Sequence, residues 1–108
     1  MNDEIIVLQT TLPGHLNQAI VGDWCNEMIR FGLVACLKVT KVDSIYQWNG
    51  ETGSNPEWAI QVKTSLSSKS KLVEWLKENH PNELPEIISW HASVEGEYHN
   101  WVQRETSK

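Results

Sequence analysis

The sequence predicts an α+β fold in which an antiparallel sheet carries helices on one face. Three observations predict it. Apolar, β-branched runs alternate with stretches of helical spacing. An Asn49-Gly50 dipeptide sits between two long strand-like runs, and a type I′ hairpin turn needs that pair because both central residues take φ > 0. The elements follow in the order β-α-β-β-α-β-α, whose first six form the ferredoxin-like split β-α-β pattern.

The first strand is expected over 5–10, where Ile5, Ile6 and Val7 favour a pleated surface, and Leu12-Pro13-Gly14 ends it. A helix is expected over 16–31. Leu16, Ile20, Trp24, Met28 and Phe31 fall on one stripe, and Gly32 supplies the stop. Two long strands follow over 33–48 and 51–66. A regular hairpin about Asn49-Gly50 pairs residues whose numbers sum to 99. Leu33, Ala35, Leu37 and Val39 then lie opposite Leu66, Thr64, Val62 and Ile60, which gives one apolar face. The other face sets Cys36, Lys38, Thr40 and Val42 against Lys63, Gln61, Ala59 and Glu57. Pro56 cannot donate to a ladder and marks an edge or a bulge. Ser67 or Ser68 can cap a second helix over 69–79, with Leu72, Val73, Trp75 and Leu76 inward. Pro81 and Pro85 bracket a loop. A fourth strand over 86–91 and a last helix over 97–105, carrying Tyr98, Trp101 and Val102, complete the chain ahead of a frayed tail at 106–108.

With helices on one face only, the other face must meet water or another chain. Cys36, Thr40, Val42 and Ala59 on that face point to a subunit contact. The hairpin strands also exceed the usual five or six residues, a length suited to clasping a neighbour.

The 108 residues fit one domain, 1–108, large enough for a real core. The net charge is −5 and the nearest thing to a basic feature is the scattered Lys69, Lys71 and Lys77, so no nucleic-acid footprint is present. No apolar stretch approaches a membrane span, and the acidic start with its short run Ile5–Leu8 does not read as a secretory leader. Two cysteines, Cys25 and Cys36, do not make a disulfide framework, and the expected setting is cytoplasmic with both thiols reduced. No G-x-S-x-G, Walker A or Gly-rich dinucleotide loop occurs. Cys36 and His80 could in principle pair as nucleophile and base, but no oxyanion hole or cleft goes with them. The expectation is a binding protein and not an enzyme.

Several segments together carry a resemblance. They are Ala35-Cys36, the run Ser44-Ile45-Tyr46-Gln47-Trp48-Asn49-Gly50, Glu57, Lys63-Thr64, His80-Pro81, the run Leu84-Pro85-Glu86-Ile87-Ile88, and Tyr98 with Trp101. In that order and spacing they resemble the CutA divalent-cation-tolerance family from about Gly32 onward. The resemblance implies a ferredoxin-like fold and a homotrimer whose extended hairpins pair between subunits. It also implies binding of divalent metal ions, copper in particular, and a role in tolerance of them. It places Cys36, Glu57 and His80 around one interfacial metal pocket. An alternative is a PII-like trimeric signalling or scaffold module, which would bind a small anionic ligand or a protein partner in the intersubunit cleft. The chain departs from the family pattern at Val34, Asn82 and His91, where the family has a small residue, an aromatic and a proline.

Each candidate residue also has a plainer reading. Thiolate and imidazole together suit Cu(I) or Zn(II), but Cys36 could simply be a small buried residue. Lys63, across from Cys36, could favour the thiolate or pair with Glu57 or Glu86. His80, held extended by Pro81, could contact a metal or anion or sit over the last helical carbonyls. Glu86 reads as a structural carboxylate. Tyr46, Trp48 and Trp58 are expected beside the hairpin tip, either stacking on a ligand or anchoring the tip on a neighbour. His15, His91 and His99 read as surface or packing residues, and Cys25 as core or interface.

Overall fold

The computed structural model describes residues 3–107; Met1, Asn2 and Lys108 lie outside them. The elements are β1 (Glu4–Pro13), α1 (Gln18–Arg30), β2 (Cys36–Trp48), β3 (Glu51–Thr64), a short 3-10 turn (Leu66–Ser68), α2 (Lys69–Asn79), β4 (Ile88–Ser93) and α3 (Gly96–Glu105). The strands form one sheet in the order β2-β3-β1-β4, with every neighbouring pair antiparallel. This is the ferredoxin-like arrangement.

Local chemistry sets the helix ends. The Asn17 side chain accepts a hydrogen bond from the Ile20 amide at 2.9 Å, capping α1. The same helix closes in a Schellman motif: Gly32 takes φ +67°, its amide bonds Ile29 O, and the Leu33 amide bonds Met28 O. The buried arc of α1 is Val21, Cys25 and Met28. Ile20 and Phe31 are 49% and 56% exposed, because they sit about a quarter-turn off that arc. The expected stripe is therefore rotated. Trp24 and Leu16 still pack against the core's edge.

The hairpin register is the expected one from Cys36↔Lys63 to Trp48↔Glu51, with Asn49 at φ +52° and Gly50 at φ +81° in the turn. Pro56 makes no bulge. An extended residue points its N and O to the same side, and Pro56 O faces Gly14, accepting its amide at 3.1 Å. Its missing donor therefore falls beyond the end of β1 and the β2–β3 ladder loses nothing.

β1 is buried on both faces. Ile6, Leu8 and Leu12 join Ile60, Val62, Met28, Leu72 and Leu76 beneath α1 and α2. Ile5 and Val7 join Val102, flanked by Ala35, Ala92 and Trp101, beneath α3. Helices thus lie on both faces, and α3 covers part of the face expected to be bare. Along the apolar side of the hairpin, Val39 and Leu66 are exposed, because the strand outruns the helices at one end and the chain leaves the sheet at the other. β1 continues to Pro13 through pairs with Trp58 and Glu57, and β4 sits two residues later than expected, pairing from Gln9↔Ile88 to Glu4↔Ser93.

Ser68 occupies the N-cap of α2 without a side-chain cap bond. Its hydroxyl instead donates to Thr106 O at 3.1 Å, and Thr106 Oγ1 lies 2.9 Å from Ser65 Oγ. Thr106 is buried, so of the tail expected to fray this residue is tied down, while Ser107 is exposed and Lys108 lies outside the described residues.

Residues 51–56 of β3 pair only with β2, which makes a two-stranded arm projecting past the body. Leu76 carries the opposite kind of environment, fully enclosed. Leu76→Ala should cost about 2–5 kcal/mol in urea unfolding at unchanged m-value.

Candidate functional site

The arm, the β1–α1 turn and the loop after α2 enclose a cleft of about 910 Å³ on the arm end of the α3-side face. Three segments build it. The turn supplies Pro13, Gly14 and His15; the arm supplies Tyr46, Trp48, Glu51 and Gly53, with Glu57 of β3 at its base; the loop supplies Pro81–Glu86 apart from Pro85.

The turn is clamped to the hairpin. Its Gly14 amide bonds Pro56 O at 3.1 Å, and Leu16 O accepts from Trp58 Nε1 at 2.9 Å. Lys41 Nζ donates to Gly14 O at 3.1 Å while standing 4.3 Å over the Trp58 ring, a cation–π contact. Only glycine fits here, since a Cβ at position 14 would fall 2.2 Å from Pro56 O. His15, exposed, is carried on this fixed turn.

Within the arm, the Tyr46 ring lies across its partner Gly53, where a Cβ would come within 2.8 Å of the ring. Asn55 Nδ2 donates to the Tyr46 hydroxyl. Trp48 closes the ladder beside the turn and is half exposed. Trp58 is not at the tip. It pairs with Lys41 and Leu12 near the body and packs against the core.

The loop is held at two points. Glu86 Oε2 accepts from Gln9 Nε2 at 3.2 Å. His80 Nδ1 accepts the Asn82 amide at 3.1 Å, and its Nε2 lies 3.0 Å from Thr10 Oγ1. A backbone amide can only donate, so Nδ1 carries the lone pair and Nε2 the proton. Burial pushes the His80 pKa below the usual 6.5, partly offset by a hydrogen bond with the Thr11 backbone.

The charges in the cleft are of one sign. Among the described residues Glu51, Glu57, Glu83 and Glu86 line it, His15 is its one imidazole, and no Lys or Arg does. The thiol lies elsewhere. Cys36 sits at the α3 end of the same face, opposite Lys63, with its Sγ 3.6 Å from the Tyr98 hydroxyl. Tyr98 is pushed up to about 12, first by burial and then by the hydrogen bond and charge of Cys36. Cys25 is buried and raised to about 11, which makes it a poor nucleophile.

Cys36, Glu57 and His80 therefore do not converge in one chain. Six residue steps along β3 separate Lys63, the partner of Cys36, from Glu57, a span of roughly 20 Å. His80 is pinned to Thr10 on the opposite face, with both nitrogens engaged. Among the described residues no three His, Cys, Asp or Glu side chains are placed to hold a metal ion. His15, expected as a surface or packing residue, enters the cleft together with Glu51 and Glu83, which no sequence motif singles out. They come from three separate segments, and no spacing along the chain could have joined them.

A small ferredoxin-like domain with a projecting hairpin and an acidic cleft defines the class of α+β protein to which the chain belongs. The CutA1 divalent ion tolerance protein family matches residues 6–105, and the chain belongs to that family. It is 36% identical to the divalent-cation tolerance protein CutA of Thermus thermophilus over 106 residues, covering 96% of this chain and 98% of the relative. The CutA of Thermotoga maritima is 30% identical over 100 residues, covering 92% and 96%. The solved structure of the PII-like protein CutA from a Nostoc species superposes with a TM-score of 0.82 at 31% identity, covering 94% of this chain and 96% of that one. The family is named for ion tolerance and not for a catalysed reaction, as the sequence reading expects.

Two outcomes follow from the site's construction. Gly14→Ala should destabilise the protein by about 1–3 kcal/mol, because the new Cβ must displace a backbone carbonyl. The pH dependence has a definite sign. The unfolded chain protonates His80 near 6.5 while the folded chain resists, so stability is lost as pH falls below about 6.5 and down through the lowered folded value. Thermal melts at stepped pH, compared with His80→Gln, should show that slope flattened in the variant.

Proposed function

We propose that the protein is a homotrimer that binds divalent cations, copper among them, in divalent-cation tolerance. The observation that carries the cation half is the cleft's lining, among the described residues, of four carboxylates and one imidazole with no Lys or Arg. Such oxygen-rich donors suit hard and borderline divalent ions, and the negative field repels anions. Glu57 is the member shared with the expected set. His15 supplies the imidazole in place of His80, whose two nitrogens are already engaged. Cys36, at the far end of the face, is the softer position, where a thiolate would favour Cu(I).

The trimer is supported by what one chain leaves uncovered. The arm is two strands wide, too few to be stable alone in water. Ile88 and Trp90 on edge strand β4 are 49% and 42% exposed. Donors from a second copy would also complete a metal site that one chain leaves open. In this reading Tyr46 and Trp48 anchor the arm on the neighbour.

The PII-like reading, a signalling or scaffold module, is favoured by the likeness to the Nostoc protein of that description. Its small anionic ligand fits the cleft poorly, since Lys63 lies at the other end of the face beside Cys36. A protein partner remains compatible with the fold.

Light scattering should give three times the 12.4 kDa chain mass. Calorimetric titration with Cu²⁺ and Mn²⁺ should show binding that weakens at least about tenfold in Glu57→Gln, the loss of one charged ligand. Cys36→Ala should affect copper alone. A monomeric mass at all concentrations would overturn the assembly. Phosphate binding tighter than either cation would overturn the ligand class.

A further inference from the structure

We propose that His80 is a proton-operated pin for the loop wall of the cleft, holding that wall when neutral and releasing it when Nδ1 is protonated. The inference rests on the cleft's geometry and not on which ion or partner occupies it. His80 ends α2, and its ring is wedged between β1 and α1. On one side its Nε2 meets Thr10 Oγ1 at 3.0 Å, and Thr10 is fully buried. On the other its Nδ1 accepts the Asn82 amide at 3.1 Å, the first backbone bond of the wall. The Trp24 ring meets the imidazole edge-on at 5.8 Å, and Trp24 Nε1 donates to Asn79 O at 2.9 Å, so the ring cannot swing away with the loop.

The neutral imidazole offers one donor and one acceptor, and both are used. Adding a proton at Nδ1 turns the acceptor into a donor and sets two N–H groups against each other. The strand and the helix keep the ring in place, so the loop is the element that yields. The groups facing the ring do not stabilise its cation by charge. β1 presents Thr10 and the Thr11 backbone, α1 presents Trp24, and Asn79 and Asn82 flank it in sequence. The titratable groups nearest in function are Glu83 and Glu86 on the wall and His15 across the cleft. Among the described residues none of these bonds the ring, and Glu86 is engaged with Gln9. Burial lowers the His80 pKa, which keeps the pin closed at neutral pH. The Asn82 end of the wall is thereby released only in acidic conditions, while Gln9 still holds Glu86 at the other end, and the shape of the cleft is linked to proton concentration.

The test follows the amide of Asn82 in the assembled wild-type protein by NMR from about pH 7.5 to about pH 5, with the imidazole carbons of His80 read in parallel. The Asn82 amide should lose its hydrogen-bonded shift with the same midpoint as the His80 ring. Its exchange protection should fall about tenfold, while amides of Leu8 and Val62 stay protected. In His80→Gln the Asn82 step should vanish. If His80 titrates while Asn82 does not move, the pin is refuted. An Asn82 step persisting in His80→Gln would assign it to His15 or the wall carboxylates and refute it equally. Should the variant fail to fold, coincidence or separation of the two wild-type midpoints decides alone.

Discussion

Burial of β1 on both faces is the constraint on which the other features depend. Its even-numbered residues Ile6, Leu8 and Leu12 belong to the larger core under α1 and α2, and its odd-numbered Ile5 and Val7 belong to the smaller one under α3. Each residue buried there contributes on the order of 1.5–3 kcal/mol. The strand also donates to β3 on one side and β4 on the other, so neither its register nor its tilt is free. Everything at the cleft hangs from this strand. Gln9 holds Glu86, Thr10 meets His80, and Pro13 delivers the Gly14–His15 turn.

That arrangement divides the labour between the two ends of one sheet face. At the α3 end lie a thiol, an amine across the strand and a phenol, in a setting partly closed by the helix. At the arm end lie carboxylates facing open space. The two ends differ in softness as ligands and are roughly 20 Å apart, too far to share one ion. Lys41 does not line the acidic end; its ammonium stands over the Trp58 ring and donates to the Gly14 carbonyl.

The fold was legible because period and punctuation agreed along most of the chain. Asn49-Gly50 set the hairpin pairs from Cys36↔Lys63 to Trp48↔Glu51, although the expected pairs of Leu33 with Leu66 and Ala35 with Thr64 fall outside the ladder, and α2 spans the expected Lys69–Asn79. The misreadings share a cause, which is that apolar residues outnumber buried positions. Ile20, Phe31, Val39 and Leu66 look like core and are exposed, and α3 took a face the pattern left open. The site was far less legible. The hairpin register pairs Cys36 with Lys63 across the strands, but nothing along the chain marks Thr10 as the neighbour of His80 Nε2. His15 was set aside for want of a neighbouring ligand along the chain. Its carboxylate company comes from β3 and the loop after α2, and only the closed sheet brings them together.

The unbroken hairpin register has a consequence for how such a protein can vary. From Cys36↔Lys63 to Trp48↔Glu51 the ladder runs without a bulge, so each arm residue's face is set by counting from the body. Inserting or deleting one residue in β2 would turn Tyr46 and Trp48 to the opposite side, and one in β3 would turn Gly53 and Glu51 away from them. Viable changes in reach must come as matched insertions on both strands, two residues at a time. Arm lengths among descendants of this sequence should therefore be quantised, in steps of roughly 7 Å.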